Sequence, residues 1–176
     1  ISPAWYSVLA RAGFFEVNEL STFRKISSRL QGHPSVDKNL PGIRMASGSL
    51  GQGLSVAIGA ALSKKLAGDR CRVYCLMGDG ELQEGQVWEA AMYAGHKSVN
   101  NLVAIVDYNN RQIDGDVSNV MGVMPLADKW SAFGWNVYEM DGHDFDDMRR
   151  VFTQIDNEPN QNKPRVIIMK TEMGMG

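Results

Sequence analysis

The sequence has little cysteine, little proline and almost no excess charge. Its two cysteines, Cys71 and Cys75, are separated by three residues. An extended chain at about 3.3 Å per residue would set their Cα atoms roughly 13 Å apart, beyond disulfide reach. Two thiols without a second pair nearby also make a poor zinc site, so both are expected to be buried and free in a reducing cytosol. The 18 lysines and arginines stand against 20 aspartates and glutamates, a net charge of −2. That balance excludes a basic nucleic-acid footprint and a polybasic membrane surface. No apolar run approaches the roughly 20 residues of a membrane span, and the stretch opens on no signal-peptide pattern, so a cytoplasmic protein with neither nucleic-acid nor membrane partners is expected.

Apolar residues and glycine are plentiful. With 176 residues, 44% of them hydrophobic, the chain can bury a core without disulfides or a structural metal. The 18 glycines exceed the ordinary share of about 7%. The chain begins at Ile1 without methionine and stops at Gly176 after an apolar run, so residues 1–176 are expected to form a single domain cut from a longer protein at both ends.

The apolar spacing predicts alternating helices and strands. Ser2 to Ala12 reads as a helix closed by Gly13, and the segment from Ser27 to Gly48, with Gly32, Pro34, Pro41 and Gly42, as a long irregular loop of the kind that carries function. Helical spacing recurs over Gln52 to Leu66 and Gln83 to Gly95, and strands are expected at Arg72 to Met77 and Asn101 to Asp107. A short helix over Ala127 to Phe133, a strand over Trp135 to Met140, a helix striped by Phe145, Met148, Phe152 and Ile155, a polar loop from Asp156 to Pro164 and a strand around Val166 to Met169 complete the series. The fold class is α/β, a mostly parallel sheet with helices on both faces.

In such a sheet ligands bind beyond the carboxyl ends of the strands. Gly78-Asp79-Gly80 follows one predicted strand and Asp107-Tyr108-Asn109-Asn110 the next. A carboxylate and an amide are hard oxygen donors suited to Mg²⁺, which keeps substrate phosphates among its ligands. Glycines beside Asp79 let backbone N–H groups approach a phosphate, and the helix near Gln83 points its positive end there. Gly-Asp-Gly alone is also a common turn. The 30 positions from Asp79 to Asn109 hold one helix and one strand, which sets the two residues on neighbouring strand ends.

This pairing resembles the thiamine-diphosphate-binding motif. Gly78-Asp79-Gly80-Glu81-Leu82-Gln83-Glu84-Gly85, Trp88-Glu89-Ala90-Ala91, Ile113-Asp114-Gly115, Arg29-Leu30-Gln31-Gly32-His33-Pro34, Pro41-Gly42, Gly48-Ser49-Leu50-Gly51-Gln52-Gly53 and Asp128-Lys129-Trp130 resemble the N-terminal domain of transketolases, over about Ser2 to Gly176. The resemblance implies a thiamine-diphosphate-binding fold and the cofactors thiamine diphosphate and Mg²⁺. Asp79 and Asn109 would bind the ion by side chain and Arg111 by its carbonyl. Ile113 would contact the cofactor ring, ordinary core packing being the alternative. Gly48 and Leu50 would lie along the cofactor, with Gly78 and Gly80 bringing backbone to it. His33 would hydrogen-bond ketose hydroxyls and assist proton movement, although a loop histidine can also be structural. Glu84 and Glu89 match glutamates at the contact between paired domains, a solvated face being the alternative.

Members of that family transfer a two-carbon ketol unit between sugar phosphates. The glutamate that activates the cofactor comes from a different domain or chain. A partner domain or subunit carrying the pyrimidine side of the site is therefore implied, in a homo- or hetero-oligomer, and the chain alone is expected to be inactive. The alternatives are a deoxyxylulose-phosphate-synthase-like or 2-oxo-acid-decarboxylating enzyme, and a non-catalytic α/β binding module.

Overall fold

The computed structural model describes residues 1–158 and 162–175, in two compact units, Ile1–Leu50 and Gly51–Gly176. Part of the loop expected between Asp156 and Pro164, residues 159–161, lies outside the described residues, as does Gly176.

In the first unit, helix α1 (Ser2–Arg11) takes a proline into its first turn, where the missing N–H is one the helix does not use. Gly13 follows its C-cap, Ala12, with a φ of 82° that a side chain would strain. Tyr6, Leu9 and Ala10 form its buried face, and Tyr6 and Leu9 pack with Leu30, Leu40 and Ile43. The segment expected to be irregular contains only the short 3₁₀ turn Val36–Lys38, after an earlier one at Val17–Thr22. Side chains hold it in place: the Tyr6 hydroxyl donates to the Gln31 carbonyl at 2.8 Å, and Arg29 makes a two-pronged pair with Glu19 at 2.9 and 2.8 Å.

The second unit is built on a parallel sheet. Its elements are α2 (Gln52–Leu66), β1 (Val73–Gly78), α3 (Gly85–His96), β2 (Leu102–Tyr108), the two-residue strands β3 (Arg111–Gln112) and β4 (Gly115–Asp116), α4 (Val117–Met121), α5 (Leu126–Ala132), β5 (Asn136–Asp141), α6 (Phe145–Asn157) and β6 (Arg165–Lys170). The sheet order is β1-β2-β6-β5, every neighbour parallel. Leu54, Ile58 and Ala61 of α2, Val87, Ala90 and Ala94 of α3 and Trp130 of α5 cover one face, against Met77, Ala104, Val106 and Ile168. Val151 and Ile155 of α6 cover the other, against Val103, Tyr138 and Ile167. The apolar run of β2 is thus explained by burial on both sides. Asp144 caps α6 by accepting the N–H groups of Asp146 and Asp147. Trp88 of α3, Trp130 of α5 and Trp135 before β5 pack in series, the first pair tilted and the last two edge to face with ring centres 4.8 Å apart.

Two local expectations differ from what is found. A 3₁₀ turn, Gly80–Gln83, intervenes before α3, because Asp79 turns the chain by accepting the Gly80 N–H with its own carboxylate. Cys71 is exposed, because β1 begins only at Val73 and Cys71 stands in the loop before it, its N–H held by Asp69; Cys75 is buried. Burial pushes the Cys75 thiol up to about 12. A thiol reagent at about pH 8 is therefore expected to modify Cys71 in the native protein and Cys75 only after unfolding. Equal rates for the two would contradict this packing.

Candidate functional site

β1 and β2 run in parallel with Gly78 opposite Asp107, so Asp79 and Asn109 leave the sheet on adjacent strand ends at its carboxyl edge. The Asp79 N–H donates to the Asp107 carbonyl at 3.2 Å, extending the ladder by one residue. Asp79 is only 1% exposed. One carboxylate oxygen accepts the Gly80 N–H at 2.7 Å and the other the Asn110 N–H at 2.5 Å. The Asn109 side-chain oxygen accepts the Arg111 N–H at 2.8 Å, closing a tight turn, and Asn110 takes φ 57° to continue it. Asn110 then pins the start of α4 by accepting the Ser118 N–H at 2.9 Å.

Burial pushes the Asp79 carboxyl above its usual range, and the charge of Asp107 adds to this; the N–H groups of Asn110 and Gly80 oppose it only in part. A carboxylate disfavoured by burial and by a neighbouring acid is a place where a cation relieves free energy. Among the described residues no group of three or more His, Cys, Asp or Glu side chains could hold a metal. An ion here would take a carboxylate, an amide, a carbonyl and oxygens from outside the protein, which is the preference of Mg²⁺. A Cβ added at Gly78 would meet no atom within 4 Å, so the space beside the strand end is open. The donor set and the opening fit a magnesium–diphosphate group.

The other expected residues fall as follows. Gly80 gives its N–H to Asp79, and a Cβ there would press on Gln112 at 3.2 Å. Gly78 gives its N–H to Glu81 at 3.3 Å. Neither group is therefore turned outward to a phosphate. Arg111 is exposed and its side chain pairs with Asp116 at 2.5 Å across the β3–β4 hairpin. Ile113 stands in the turn of that hairpin at 102% exposure, so core packing is not its role within this chain. Glu84 immediately precedes α3 and Glu89 lies within it, both exposed.

In the first unit Gly48 adopts φ 127°, and a Cβ there would come within 2.6 Å of His33 Nδ1, so glycine is what lets His33 lie over this backbone. His33 and Leu50 are both exposed. Sequence reasoning missed Glu81 as an individual residue. Its carboxylate accepts the N–H of Gly51 at 2.9 Å and that of Gly78, stapling the start of α2 to the end of β1. The separation of 30 positions between Gly51 and Glu81 hides that contact from local spacing.

Comparison with known proteins gives a consistent picture. The chain matches the family described as transketolase, thiamine diphosphate binding domain, over residues 2–176. It is 41% identical, over 99% of its length, to the 6-deoxy-6-sulfo-D-fructose transketolase subunit SqwG of Clostridium sp. (strain MSTE9), of which it covers 62%. It is 40% identical to one of the subunits of the apulose-4-phosphate transketolase of Phocaeicola vulgatus, over 98% of this chain and 60% of that one. The chain thus spans roughly three-fifths of these curated relatives. The crystal structure of transketolase from Campylobacter jejuni superposes with a TM-score of 0.83 at 34% identity, over 95% of this chain and 27% of that one. A match over nearly every residue, carried by a parallel sheet whose ends bring Asp79 and Asn109 side by side, makes the chain a member of the transketolase family, in its thiamine-diphosphate-binding domain.

Proposed function

We propose that this domain holds the diphosphate and Mg²⁺ of thiamine diphosphate in a transketolase that moves a two-carbon ketol unit from a ketose to an aldose. The observation that carries the reading is the buried Asp79 carboxylate set beside Asn109 with open space over Gly78. When bound, thiamine diphosphate supplies a nucleophilic thiazolium carbon and an electron sink. The side chains of Asp79 and Asn109 and the carbonyl of Arg111 would hold the ion. Gly48 and Leu50 would lie along the cofactor, the backbone of Gly78 and Gly80 would pass beside it with their N–H groups held by Glu81 and Asp79, and Ile113 would offer its apolar surface to the cofactor ring.

His33 would hydrogen-bond the ketose hydroxyls and move a proton at its imidazole. Glu84 and Glu89, exposed just before and within α3, would meet a partner domain or chain that supplies the activating glutamate. The relatives are named for a sulfonated sugar and for apulose 4-phosphate. A ketose with an anionic terminal group, phosphate above all, is accordingly the proposed substrate class. The test is reconstitution of this chain with a chain carrying the complementary domain, thiamine diphosphate and Mg²⁺. Ketol transfer between sugar phosphates is expected. No turnover with any ketose donor, or consumption of pyruvate in its place, would overturn the assignment.

A further inference from the structure

Three strand ends meet at Asp107. Its carbonyl accepts the Asp79 N–H at 3.2 Å, its side chain accepts the hydroxyl of Thr171, and two residues later the chain reaches Asn109. Thr171 follows β6, and its own N–H donates to the Tyr108 carbonyl at 3.1 Å. One residue of β6's end thus makes two hydrogen bonds to the two residues that precede Asn109, beyond the last strand-register pair of Tyr108 with Lys170. The residues on either side of Thr171 are held from the β5–α6 turn. Gly142 donates to the Lys170 carbonyl at 2.7 Å, and His143 Nε2 accepts the Glu172 N–H at 2.8 Å. A Cβ at Gly142 would approach the Met169 side chain to 2.8 Å, so that turn lies tightly on β6's end.

We propose that Thr171 is a positioning residue for the cation site: by orienting Asp107 it fixes the spacing between Asp79 and the Asn109 turn. Thr171 touches neither ligand. It holds Asp107 and Tyr108, the two residues before the Asn109 turn, and so stands one bond further back than the groups that hold metal ligands directly, whose loss typically costs about 10–100-fold in metal affinity; its effect is placed at the low end of that range. His143, in the β5–α6 turn, is the anchor that keeps the segment after β6 in place. The inference rests on the reading of Asp79 and Asn109 as cation ligands, so its test separates the two.

In the assembled enzyme with thiamine diphosphate, Mn²⁺ affinity is measured by electron paramagnetic resonance on Thr171→Val, Thr171→Ser and Asp79→Asn. Valine keeps the shape and loses the donor; serine keeps the donor. Thr171→Val is expected to weaken Mn²⁺ binding about tenfold, and Thr171→Ser to stay within about threefold of wild type. A folded Thr171→Val protein with wild-type Mn²⁺ affinity, beside an Asp79→Asn protein that has lost it, overturns the positioning role alone. An Asp79→Asn protein that binds Mn²⁺ as wild type does overturns the cation reading and this inference with it. If Thr171→Val does not fold, Thr171→Ala against Thr171→Ser makes the same comparison.

Discussion

Replacing Asp79 by alanine is expected to lower the affinity for Mg²⁺ and thiamine diphosphate by at least about a hundredfold and to remove ketol transfer from the assembled enzyme. Two costs add. The proposed cation loses its only negatively charged protein ligand. The Gly80 and Asn110 N–H groups also lose their acceptor, at about 1–3 kcal/mol each if water does not replace it. A third term runs the other way. The Asp79 carboxyl is raised by burial, so its ionised form weakens the cation-free fold: the stability its protonated form contributes is present at low pH and lost as pH rises through the raised value.

Wherever Asp79 is ionised, the cation-free domain carries a buried carboxylate that an ion would neutralise. Melting the wild-type protein with Mg²⁺ and cofactor at about a hundred times their dissociation constant should add about 2.7 kcal/mol, and the alanine variant should show no such gain. Protons compete with the cation for the same oxygens. Its affinity should thus fall on acidification at pH values above those that titrate an ordinary aspartate of pKa 3.8. An alanine variant that keeps the ligand-induced stabilisation would place the cation elsewhere.

A second substitution, far from the site, should strongly destabilise the domain. Gly95 lies near the end of α3, and a Cβ there would overlap the Phe133 carbonyl oxygen and sit 3.0 Å from its carbon. Alanine ordinarily gains about 1 kcal/mol over glycine inside a helix. Here backbone would have to give way to backbone, and the expected loss is about 4 kcal/mol or more, a large part of an ordinary domain's stability. Gly59, exposed on α2 with nothing within 4 Å of its added Cβ, supplies the control. Gly59→Ala should stabilise by about 0.5–1 kcal/mol. Urea titrations of the two variants would show opposite shifts; equal shifts would mean that α3 does not approach the Phe133 backbone this closely.

Those two glycines mark where the sequence stops being informative. Both stand in stretches of helical spacing, and nothing local separates the one pressed on a carbonyl from the one facing solvent. The strands were legible because β2 is buried on both faces and must be apolar throughout. The adjacency of Asp79 and Asn109 was legible because 30 residues of helix and strand leave a parallel crossover little choice. The turn before α3 and the β3–β4 hairpin were not, being set by side chains that cap their own backbone and by a two-residue pairing too short to show a period. Glu81, Asp107 and Thr171 escaped for another reason. Each works through hydrogen bonds between segments remote in sequence, and such bonds leave no spacing to read.

The edge of the sheet has a practical meaning. Among the described residues β1 pairs with β2 on one side only, and its Tyr74 and Leu76 are 50% and 46% exposed. An open strand edge flanked by apolar side chains is a template on which other chains can add. Time spent at high concentration with that edge uncovered is then time available for aggregation, so soluble yield should fall with concentration and with slow folding.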